Sequence, residues 1–212
     1  ALGYEPEAPL RLDRVQLVAN ARSLGKGRAA DPYGAANEHA KVMLDDSWVT
    51  ELWCNAAAQS ASGRVPEEVA AGIRIGRVAA LAKDDGRVRG IVAGNAHRRL
   101  ASRTLSQQFT EEINAATAPF QFALSARAGT DALGHLLRAA TALNPDLVVI
   151  AIDGVGAFKR VRRQAILASI MAKPALRQLV PYVRLFYERP AEYLWDDHMG
   201  TARGIRQGEG GE

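Results

Sequence analysis

The stretch LeuValValIleAlaIleAspGlyValGlyAlaPhe, residues 147 to 158, decides how this chain reads. Residues 147 to 152 are all apolar and rich in Val and Ile, and Asp153 with Gly154 ends the run abruptly. Such a run predicts a buried central strand, with a carboxylate at its C-terminal end held by rigid backbone yet able to face solvent. On these residues alone Asp153 has two readings. It is either a turn residue that closes the strand or a hard-oxygen ligand for a divalent metal.

Upstream, Thr130 and Asp131 open a helix that Asn144 and Pro145 close, and Asn95 N-caps a long helix running to about residue 117. Before that helix, residues 73 to 82 and 87 to 93 suit two short strands. Lys83, Asp84, Asp85 and Gly86 join them, and AspGly is a strong hairpin signal. The N-terminal third reads as helical over residues 10 to 24 and 35 to 61, with a Gly- and Arg-rich loop at 25 to 34 and a turn at 63 to 66. Downstream, helical patterns at 162 to 172 and 176 to 187 flank Pro174, and a last hairpin pairs residues 191 to 195 with 202 to 205.

Composition narrows the class. With 48% hydrophobic and 24% charged residues over 212 positions, the chain matches ordinary globular domains and excludes collagen-like or disordered polymers. A single cysteine, Cys54, forms no internal disulfide, so an intracellular setting, nucleus or cytoplasm, is expected. No apolar run approaches the roughly 18 to 20 residues of a membrane-spanning helix, and the first residues do not read as a signal peptide. The net charge of +4 is compatible with nucleic acid without requiring it.

Five blocks together resemble reverse transcriptases, the group II intron and non-LTR retrotransposon branch most closely. IleAspGlyValGlyAlaPhe, residues 152 to 158, is similar to motif A, an Asp followed by three variable positions, a small residue and an aromatic. ArgAlaAlaAspProTyrGly at 28 to 34 resembles the first fingers motif, and LysAspAspGlyArgValArgGlyIle at 83 to 91 the fingers hairpin. PheGlnPheAlaLeuSerAlaArgAlaGlyThrAspAlaLeu at 120 to 133 resembles the segment ahead of motif A, and IleArgGlnGlyGluGlyGlyGlu at 205 to 212 the run-in to motif B. The resemblance spans residues 28 to 212 in the family's order.

What the resemblance implies is an α+β, partial right-hand polymerase fold: a helical N-terminal part, a fingers β-hairpin, and an incomplete palm sheet with helices on one face. Residues 1–72 would be the N-terminal extension and start of the fingers, 73–145 the fingers hairpin and long helices, and 146–212 a partial palm. The implied reaction is RNA-directed DNA synthesis with two Mg²⁺ ions, on an RNA template, a DNA primer and deoxynucleotides. Asp153 would ligate metal, joined by the carbonyl of Gly154. Phe158 would lie beneath the incoming sugar and disfavour a 2′-hydroxyl. Lys83 and Arg89 would meet the triphosphate, for which a point charge and a forked guanidinium are suited. Arg98, Arg99 and Arg103 follow the hairpin, and Arg99 and Arg103, four apart, share a helix face that tracks a phosphate backbone.

Two positions depart from the family pattern. Lys159 stands where Asp or Asn is common, and a cation there weakens ion binding. AlaAlaAspPro replaces the usual Ala-Pro-Gly-Pro, a change expected to cost the loop its shape. TyrLeuTrpAspAsp, residues 193 to 197, imitates the family's Tyr-x-Asp-Asp box with the wrong spacing and ahead of motif B, so Asp196 and Asp197 read as a hairpin tip with Gly200. The four histidines are scattered and form no zinc pattern. With the Tyr-x-Asp-Asp carboxylates missing, the expectation is a piece of a polymerase that is inactive alone. The alternative is a non-catalytic nucleic-acid-binding remnant.

Overall fold

The computed structural model describes residues 3–28, 30–123, 127–154, 161–189, 191–196 and 202–206. They divide into two units, Ala1–Gln108 with Arg162–Glu212, and Phe109–Val161. The fold class is α+β.

In the first unit, α1 (Arg14–Arg22) starts where Asp13 Oδ1 accepts the N–H of Gln16 at 2.9 Å, an N-cap satisfying one of the donors that every helix start leaves free. The pattern over 35 to 61 resolves into α2 (Asn37–Met43) and α3 (Ser47–Ala61). They part because Asp46 caps a new helix, accepting the N–H of Val49 at 3.0 Å. α4 (Glu67–Arg74) extends through Ile73, which the strand pattern had claimed. Arg74 is buried there, paired with Glu67 and donating to Leu185 O at 3.0 Å.

Strands β1 (Gly76–Ala82) and β2 (Val88–Gly94) form the expected hairpin, with Gly76 opposite Gly94 and Ala82 opposite Val88. Its loop closes through Lys83 N–H to Arg87 O at 2.8 Å and Gly86 N–H to Lys83 O at 3.0 Å, and Gly86 takes φ +76°, which glycine adopts at no steric cost. β3 (Glu192–Asp196) and β4 (Ala202–Arg206) form the second expected hairpin. Residues 197 to 200, and so Asp197 and Gly200, lie outside the described residues. β3 joins β1 in parallel, Gly76 opposite Tyr193, so the sheet order is β2-β1-β3-β4.

α5 (Ala96–Gln108) follows β2. After α5 come α8 (Arg163–Met171), a 3₁₀ turn at Pro174–Leu179 and α9 (Val180–Tyr187). The core of this unit gathers Leu17 and Ala21 of α1, Cys54, Ala57 and Ala61 of α3, Leu100, Ala101 and Leu105 of α5, and Val180 and Phe186 of α9. Buried polar groups in it are paired. Asn20 donates to Thr104 Oγ1 at 3.0 Å and to Gln107 Oε1 at 2.7 Å, tying α1 to α5.

The second unit holds α6 (Thr110–Thr117) and α7 (Gly129–Leu143). The single long helix expected from Asn95 to about residue 117 is thus two, because α5 stops at Gln108 and α6 starts at Thr110. α7 ends as expected, with Asn144 N–H on Ala140 O and Leu147 N–H on Asn144 O. The buried strand over 147 to 152 does not form. That run has no regular structure, and Val148 is 78% and Ile152 91% exposed. A strand needs ladder partners for its backbone groups, and among the described residues no strand pairs with this run.

Candidate nucleic-acid interface

The ordering element of the first unit is Asp31, in the loop between α1 and α2. It is 1% exposed. Its Oδ1 accepts the N–H groups of Tyr33 and Ala35, both at 2.9 Å, which makes the AspProTyrGly turn an Asx-type turn. Its Oδ2 accepts Asn95 Nδ2 at 3.2 Å and the N–H of Ala96 at 3.0 Å. A buried carboxylate is tolerated because four donors replace its lost hydration. Asp31 thus orders the AlaAlaAspPro loop from within. The local signal was an Asp one residue before Pro and three before Gly; the second half of its bonding comes from residues 64 and 65 positions away.

Asn95 completes the start of α5 by accepting the N–H of Arg98 at 3.2 Å. With its first turn capped twice, the helix sends successive side chains to different sides. Arg98 lies with its guanidinium 4.3 Å from the Phe186 ring centre, a cation–π contact that pins α5 to α9. Tyr182 strengthens the same seam. Its hydroxyl donates to Arg98 O at 3.2 Å and meets Ser102 Oγ at 2.7 Å, and burial pushes its phenol up to about 12. Arg99 and Arg103 sit on another side of the helix, exposed. The three arginines are thus not equivalent: one is packed and two face outward.

Behind Arg99 and Arg103 lies a cleft of about 130 Å³, lined also by Leu24, Asn37, Ala96 and Leu100. Leu24 and Asn37 were not singled out in the sequence, and no motif marks them; Leu24 follows α1 and Asn37 opens α2, on either side of the loop that Asp31 fastens to α5. At the α3–α5 contact, His97 Nε2 and Ser60 Oγ are 3.1 Å apart, and Trp53 meets the imidazole edge-on at 6.4 Å. Ser60 Oγ also lies 3.1 Å from Ala56 O, and burial holds the imidazole below its ordinary pKa.

Lys83 opens the hairpin loop, half-exposed. Arg89 pairs with Leu81 along the hairpin backbone, and its side chain lies outside what the structure describes. Asp85 at the loop tip is bound by Arg87, whose guanidinium beside it lowers its pKa. Asp153 and Gly154 belong to the second unit, in exposed irregular chain. Phe158 and Lys159 lie outside the described residues.

The Asp153 carboxylate and the Gly154 carbonyl are hard oxygens, the class Mg²⁺ takes. Among the described residues no three His, Cys, Asp or Glu side chains gather as metal ligands. A two-ion site needs several carboxylates, so these two residues fit Mg²⁺ as contributors and not as a site in themselves. Among the described residues no helix is long and apolar enough to cross a membrane. No protein-family model matches this chain, and no curated protein matches it either.

Proposed function

We propose that this chain is the fingers and first part of the palm of a reverse-transcriptase-like polymerase, and that these residues alone hold template and primer without extending the primer. The observation that carries the reading is the run of five family-like blocks in the family's order, from Arg28 to Glu212. A hairpin at residues 76 to 94, leading straight into a helix with two outward arginines, is compatible with it.

In this reading Lys83 and Arg89 face the triphosphate, Phe158 selects the deoxy sugar, and Asp153 with Gly154 contributes to a Mg²⁺ site. The remaining carboxylates, those of a Tyr-x-Asp-Asp box, are absent from these 212 residues. In-line attack of a primer 3′-oxygen on an α-phosphate needs ions that neutralise charge on both the attacking and leaving oxygens. One carboxylate does not hold them. Arg99 and Arg103 contribute sequence-independent attraction for phosphates, which needs no metal and falls with salt.

The test mixes the chain with an RNA template, a DNA primer, deoxynucleotides and Mg²⁺. Expected is binding of the template–primer that weakens steeply with salt, with extension at background. Mg²⁺-dependent extension abolished in Asp153→Ala would overturn the claim of inactivity, and absence of binding at low salt would sink the reading as a whole. A non-catalytic nucleic-acid-binding remnant is the second reading, favoured by the exposed Arg99–Arg103 pair, which does not involve Asp153. Reading the coding frame past Glu212 separates the two: a Gln-Gly-x-Pro block followed by a Tyr-x-Asp-Asp box supports the polymerase, and an unrelated continuation leaves the remnant.

A further inference from the structure

β2 ends the sheet on one side, and among the described residues β1 is the one strand paired with it. Lys83 N–H donates to Arg87 O at 2.8 Å, and bonded pairs alternate along an antiparallel ladder. Leu81 with Arg89, Ala79 with Ile91 and Arg77 with Ala93 are therefore the bonded pairs. It follows that the N–H and C=O groups of Val88, Gly90, Val92 and Gly94 point to the outer edge. Proteins blunt such edges with Pro, Lys or a bulge. β2 has neither residue, and its register with β1 runs unbroken from Val88 to Gly94. Its apolar side chains are also open, Val88 being 66% exposed and Ile91 and Val92 each 45% exposed.

The strand complementary to this edge is β2 itself. Turned about a two-fold axis through Ile91, it pairs antiparallel with its own copy over its whole length. Val88 then lies opposite the partner's Gly94, Gly90 opposite the partner's Val92, and Arg89 opposite the partner's Ala93. Each larger residue meets a small one, except Ile91, which meets its own copy on the axis. The outward groups of Val88 and Gly90 fall in bonded pairs with those of the partner's Gly94 and Val92. Sliding the register by two residues leaves one end of the strand unpaired and sets Val88 against Val92, or Val92 against itself. The strand's one charged residue, Arg89, stands about 13 Å along the strand from its copy, beyond the reach of exposed charges at physiological salt. Because the complementarity is of the strand to itself, it selects a second copy over an unrelated peptide. We propose that two copies of this chain associate through β2, joining their four-stranded sheets into one continuous sheet. The seam is narrow, seven residues a side, so the pair exchanges with single chains. The inference does not rest on the function proposed above and is tested without nucleic acid.

The test is sedimentation equilibrium of the full chain over a concentration series. The average mass should climb from 22.8 kDa toward twice that value. Gly90→Pro removes an outward N–H and spares the β1 ladder, whose β2 members are Arg89, Ile91 and Ala93. With one donor lost from each copy, association should weaken by about tenfold, while circular dichroism matches wild type. Cross-linking checks the register. Across the seam Ile91 and its copy form a non-bonded pair, with Cα atoms about 4.5 Å apart, within the span of a disulfide. The native cysteine, Cys54, is buried. Ile91→Cys should therefore cross-link into a dimer under mild oxidation. Val88→Cys, about 20 Å along the strand from its own copy, should not.

A chain that keeps the single-chain mass at every concentration overturns the proposal and leaves the edge to a strand from a different protein. Association unchanged in a folded Gly90→Pro variant puts the contact on another surface and overturns it as well. If that variant loses its fold, the cysteine pair decides: equal cross-linking at both positions, or none at either, rejects pairing through β2.

Discussion

Asp31 Oδ2 accepts the backbone N–H of Ala96 at 3.0 Å, so a loop carboxylate caps a helix that begins 65 positions later. The bond joins the loop between α1 and α2, with Leu24 at its start and Asn37 just past its end, to the helix carrying Arg99 and Arg103. Asp31→Ala leaves buried N–H groups without acceptors and removes a cap, at a cost of about 2 to 3 kcal/mol. Urea unfolding should show the loss as a lower midpoint with an unchanged slope. An unaltered midpoint would mean that the loop reorganises at no cost.

Gly76 sits where β1 meets both neighbours. A Cβ there would overlap Val92 Cγ1 and come within 3.2 Å of Tyr193 Cδ1. Gly76→Ala forces the sheet apart at its only parallel pairing among the described strands and should cost about 1 to 3 kcal/mol, the range for overpacked sites. Val92→Ala in the same chain relieves the tighter of the two overlaps, so the double variant should recover part of the loss in a thermal melt. No recovery would place the strain elsewhere.

Stability should fall as the medium is acidified through 6.5, the ordinary histidine pKa. Burial depresses the folded-state pKa of His97, so below 6.5 the unfolded chain takes up a proton that the folded chain refuses until lower pH. His97→Gln can keep a donor toward Ser60 and does not titrate. Its unfolding free energy should lose part of the wild-type slope just below pH 6.5, and identical slopes would exclude His97 as the source.

At the alkaline end the governing group is Tyr182. Its phenol is pushed up to about 12, chiefly by burial, so between 10 and 12 the folded chain holds a proton that the unfolded chain has released. Stability should decline over that window as pH rises. Ultraviolet titration should show the latest-ionising phenol lost in Tyr182→Phe. That variant also leaves Ser102 without its 2.7 Å partner and should be about 1 kcal/mol less stable at neutral pH.

Much of the secondary structure is legible without coordinates because its signals are local. AspGly in a five-residue loop sets the β1–β2 hairpin, Asn95 caps α5, and Asn144 with Pro145 ends α7. Each of those features is decided by residues within a few positions of one another. The run at 147 to 152 misleads for the opposite reason: an apolar β-branched stretch becomes a strand only if distant segments supply its ladder, and none of the described strands does.

The sequence by itself determined the starts of α5 and α7, the two hairpins and the order of the family-like blocks, since capping, turn chemistry and residue order are properties of neighbouring residues. Only the tertiary structure decided that Asp31 is a buried hub, that Arg98 packs on Phe186 while Arg99 and Arg103 face outward, and that Leu24 and Asn37 line a cleft with them. Those facts depend on hydrogen bonds and packing between residues many positions apart. Which of three adjacent cations is structural and which is free for a ligand is settled by what the fold places against each of them.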